Sequence, residues 1–61
     1  MTVTEACLIL KDYVVGNSLQ SGGGVRWIEW ERGNGNNAIG LDGDFTLKEL
    51  EAIVVFMKEG K

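Results

Sequence analysis

The chain has 61 residues, nine acidic against six basic, for a net charge of −3. That balance argues against a nucleic-acid binder, which shows a basic patch, and one cysteine with no histidine excludes an internal disulfide and a zinc cluster. A chain this short makes one domain, residues 1–61, and buries only about 60% of the surface its unfolded form exposes.

Hydrophobic residues make up 44% of the chain, too many for a disordered one. No apolar run approaches the roughly 20 residues that cross a membrane. No basic stretch leading into an apolar one opens the chain, so a cytoplasmic location with Cys7 reduced is expected. Small domains without disulfides or metals often gain stability by association.

Thr2-Val3-Thr4-Glu5 has the T-x-x-E pattern of a capping box. Val3, Ala6, Cys7, Leu10, Tyr13 and Val14 then fall on one helical face, and Gly16-Asn17-Ser18 reads as a stop. The pattern predicts a helix over Val3–Val15. The competing reading is a strand through the apolar run Cys7–Leu10. Leu8 and Val15 lie off the main apolar face. Asn17–Gly24 reads as a polar, glycine-rich loop.

Val25–Glu31 alternates and carries two tryptophans, which predicts a strand. Arg32–Asn37 is a turn signal, and Ala38–Asp42 a short return strand. Two glutamates are costly inside. The period of two therefore sends Ile28 and Trp30, with Ile39 and Leu41, toward a core, and leaves Trp27 outside beside Glu29 and Glu31.

Thr46-Leu47-Lys48-Glu49 is a second capping box, with Phe45 and Leu50 placed as a hydrophobic staple. Asp44 and Glu49 suit the positive end of the helix dipole, Lys58 and Lys61 the negative end, and Gly60 a left-handed stop. Leu47, Leu50, Ile53, Val54 and Met57 share one face, the predicted core face. Ala52, Val55 and Phe56 fall outside it. The fold class that follows is α+β. A hairpin packs on two helices in the order helix, hairpin, helix, and is completed by oligomerisation because an isolated hairpin is marginal in water.

Surplus apolar groups mark the candidate interaction residues. They are Leu8 with Val15, Val55 and Phe56 with Ala52, and Trp27 with Val25, the indole rimmed by Glu29 and Glu31. A tryptophan with a polar rim is the composition of a binding hot spot. The first partner expected is a second copy, as a two-fold dimer. Catalytic, metal and cofactor sites are each expected to be absent. There is no histidine for general-base work, and Cys7 sits on an apolar face. Asp42-Gly43-Asp44 with Glu49 has the shape of half a calcium loop, but the leading ligand positions are Ala38 and Gly40. Ser21-Gly22-Gly23-Gly24 leads into a strand, where a phosphate cradle leads into a helix.

The string LDGDFTLKELEAI, an apolar run after it and the WIEWE strand before it resemble the C-terminal part of small bacteriophage and prophage proteins. The resemblance covers about the last 35 residues and carries over no functional residue. It implies an accessory protein that works in the bacterial cytoplasm by binding, and inhibiting or redirecting, a host or defence factor. Two alternatives stand beside that reading. One is a binder of a nucleotide-type ligand, with a base on Trp27 and phosphates on Arg26, Arg32 or the glycine loop. The other is an acidic mimic of DNA.

Overall fold

The structure is a computed structural model that describes residues 1–21, 25–32 and 38–59. The fold is α+β. A helix, α1 (Val3–Ile9), leads into four strands, β1 (Val14–Val15), β2 (Ser18–Gln20), β3 (Trp27–Trp30) and β4 (Gly40–Asp42), and a longer helix, α2 (Leu47–Glu59), closes the chain. The strands form one antiparallel sheet in the order β1-β2-β3-β4. No described helix is long and apolar enough to cross a membrane.

Both capping boxes form. Glu5 N donates to Thr2 Oγ1 and Thr2 N to Glu5 Oε1, at 3.2 and 2.7 Å. In the second box Glu49 N donates to Thr46 Oγ1 at 3.1 Å and Thr46 N to Glu49 Oε1 at 2.9 Å. Each pair satisfies two backbone donors that a helix start otherwise leaves orphaned.

The first helix is shorter than its periodicity predicts. It ends at Ile9, and Leu10 turns out of helical geometry at φ −100° and ψ 18°. Val14 and Val15, read as its last turn, instead pair with Leu19 and Ser18. β-branched side chains are stiff in helices and pack well on a sheet. Gly16, with φ +60°, and Asn17, whose φ is not positive, make the two-residue link. That is the type II′ pattern, which matches strand twist.

The segment read as a loop is also corrected. Ser18–Gln20 is the second strand, with Leu19 fully buried opposite Trp30. Ser21 extends the pairing with β3, donating its backbone N–H to the Ile28 carbonyl at 3.1 Å. The predicted helix–hairpin–helix is therefore a helix, a four-stranded meander and a helix. The glycines of the predicted cradle after Ser21, most of the predicted turn, Gly60 and Lys61 lie outside the described residues.

The core joins Ala6 of α1, Leu10 and Tyr13 of the turn that follows it, Leu19, Ile28 and Trp30 of the sheet, and Ala52, Ile53 and Phe56 of α2. Ile28 and Trp30 face inward, as the alternation requires, and Ile39 packs against the core. Leu41, expected to face the core, lies opposite Ile28 on the edge strand β4 yet is exposed.

The predicted core face of α2 is wrong by part of a turn. Ala52 and Phe56 are buried, while Leu47, Leu50 and Val54 are exposed. Phe56, 2% exposed, stands edge-on to Trp30 with ring centroids 6.0 Å apart. The expectation that Phe56 offers a contact surface fails for this reason. Its aromatic area contributes more inside, against another ring, than a leucine at the same place.

Candidate interaction surface

Two arginines tie the sheet layer to the two ends of α2. Arg26 Nη1 lies 2.8 Å from both carboxylate oxygens of Glu49. Its guanidinium stacks over the rings of Phe45 and Tyr13, at 4.8 and 5.4 Å. Glu49 thus serves its own helix cap and a residue 23 positions away. At the other end, Arg32 Nη2 donates to the Phe56 carbonyl at 2.8 Å, and its guanidinium lies 4.9 Å from the Trp30 ring centroid. That carbonyl belongs to the last turn of α2, where a cation is favoured by the helix dipole.

The Thr46 backbone N–H, with Arg26 in support and desolvation opposing, holds the Glu49 carboxyl below its ordinary value of 4.5. The unfolded chain therefore takes up this proton first as pH falls. The stability Glu49 contributes is complete above about pH 4.5 and is lost as pH drops through the lowered folded value. Urea midpoints measured between neutral and strongly acid pH are expected to fall in that acid window. Glu49→Gln is expected to flatten the fall, and an unchanged profile in that variant shows that Glu49 is not the group responsible.

With Arg26 and Arg32 engaged inside the fold, the cations suggested for a phosphate face internal partners. Among the described residues no group of three potential metal-ligating side chains converges. Cys7 is half-buried against the core.

The sheet face turned away from the helices is different in character. Trp27 and Glu29 project from β3 on this side. In register with them are Asp42 and Gly40 on β4, and Gln20 on β2. Trp27 is 42% exposed. Its ring crosses diagonally onto Gly40, where an added Cβ would stand 2.8 Å from Trp27 Cζ3 and 3.0 Å from Cη2. A glycine at that position is what lets the indole lie down on the strand. A groove of about 200 Å³ runs from Trp27 past Glu29 to Glu31, with Gln20 and Ser21 on its other side.

Of the candidate interaction residues named from the sequence, the fold brings together Trp27, Glu29 and Glu31. Leu8 is exposed on α1, Val55 is half-buried against the core, and Phe56 is inside it. Gly40, Asp42 and Gln20 were not foreseen as part of this face. The alternation of Gly40-Leu41-Asp42 carried the signal for the first two. Gln20 could be found only by reading Ser18–Gln20 as a strand. No protein family, curated protein or solved structure matches the chain.

Proposed function

We propose that this chain is a non-enzymatic interaction module whose Trp27 face receives a basic segment of a partner protein. The observation that carries the reading is the Trp27 indole, held open to solvent on Gly40 with the carboxylates of Glu29, Glu31 and Asp42 around it. An arginine or lysine stacked on an indole gains from the ring quadrupole, and neighbouring carboxylates strengthen and orient that contact. The proposed partner is a host or defence factor of the bacterial cytoplasm, inhibited or redirected by the contact, a reading in keeping with the resemblance of the WIEWE and LDGDFTLKELEAI segments to small phage and prophage proteins.

The test starts from the partner retained by the chain from host lysate and is then made quantitative by calorimetry. Trp27→Ala is expected to weaken binding by about 2 kcal/mol or more, the scale of a hot-spot truncation, with circular dichroism unchanged. Glu29→Gln is expected to reduce the salt dependence of association. A partner bound equally by the Trp27→Ala variant overturns the assignment of this face.

A further inference from the structure

The outer side of α2 is a second surface, separate from the Trp27 face. Leu47, Leu50, Val54 and Met57 follow one another at spacings of three, four and three residues, the seam one helix presents to another. The fold leaves most of this seam in water: Leu47 is 74% exposed, Val54 51% and Leu50 39%, while Met57 is half-buried against the core. Its relief is uneven. Leu47, the most exposed residue of the seam, stands near the N-terminal end on the wall of a shallow hollow with Leu50 and Val55, and toward the C-terminal end lies a recess of about 540 Å³ between Trp30, Val54, Met57 and Lys58. Leu47 and Met57 are about 15 Å apart along the axis, at 1.5 Å per residue. A knob and a recess on one face are what a two-fold contact needs, since the same patch must meet itself.

We propose that two copies of this chain pair antiparallel through α2, the Leu47 of each seated in the recess beside Met57 of the other, and Leu50 against Val54. The charges select this direction. Lys58 on the rim of the recess comes to the start of the other copy's helix, where Asp44 and Glu51 outweigh Lys48 and Glu49 is already paired with Arg26. A parallel pair would set Lys58 against Lys58 and align the helix dipoles unfavourably. Trp27 lies across the sheet from α2, so the dimer presents two binding faces. A single short helix face buries less than a standard interface of about 1,600 Å², which puts the dimer in the micromolar range.

Sedimentation equilibrium of the full chain over low to high micromolar concentration tests the proposal. The expected result is a mass rising from 6.7 kDa toward twice that value. Leu47→Glu, at a position exposed in the single copy, is expected to leave circular dichroism unchanged and to weaken pairing about a hundredfold by placing a charge in an apolar recess. Lys58→Glu is expected to weaken it, and Lys58→Glu with Glu51→Lys to restore it. A mass of 6.7 kDa at every concentration overturns the proposal. So does a dimer that survives Leu47→Glu and separates with Trp27→Ala, which assigns the contact to the sheet face.

Discussion

Phe56→Ala is expected to lower the free energy of unfolding by about 3–5 kcal/mol, enough to leave much of the chain unfolded at room temperature. A single core of this size rarely supplies more than about 3–5 kcal/mol in total. Phe56 is the largest of the fully buried side chains, it meets Trp30 edge-to-face, and its own carbonyl receives Arg32. Truncation removes the ring, leaves a cavity between helix and sheet, and strips the Trp30 indole of its partner. Urea denaturation followed by tryptophan fluorescence measures the loss. A change below about 0.5 kcal/mol, the level of ordinary surface substitutions, would return Phe56 to the surface.

Leu19→Ala should be nearly as damaging, at about 2–5 kcal/mol. Leu19 is fully buried between Val14 on one neighbouring strand and Trp30 on the other. Its loss opens a cavity at the centre of the sheet. The same substitution in a solvated loop costs almost nothing, so the denaturation midpoint of this one variant decides whether Ser18–Gln20 is a strand.

The Trp27 face was half legible in the sequence. The period of two separates Trp27 and Glu29 from Ile28 and Trp30 whatever the strand pairs with. Gly40 and Asp42 join the face only through register, because Glu29 lies opposite Gly40 and Trp27 opposite Asp42. Register depends on a neighbouring strand, and a strand's own residues do not state it.

The sequence by itself determined what depends on neighbours three or four residues apart or fewer. Both capping boxes, the start of each helix and the inward direction of Ile28 and Trp30 belong here, because the atoms that decide them are carried on the same short stretch. Tertiary structure decided the rest. Val14 continues the helical period, but it and Val15 leave the helix because Gly16-Asn17 folds Ser18–Gln20 back to pair with them. The core face of α2 was undetermined because Leu47, Leu50, Val54, Ala52, Ile53 and Phe56 are apolar around most of the helix. A helix with two apolar faces has no unique inward side until its partners choose one. Here Arg26 draws in Glu49, while Trp30 and Arg32 receive Phe56. These contacts span more than twenty residues, and they turn the Leu47 seam out into water.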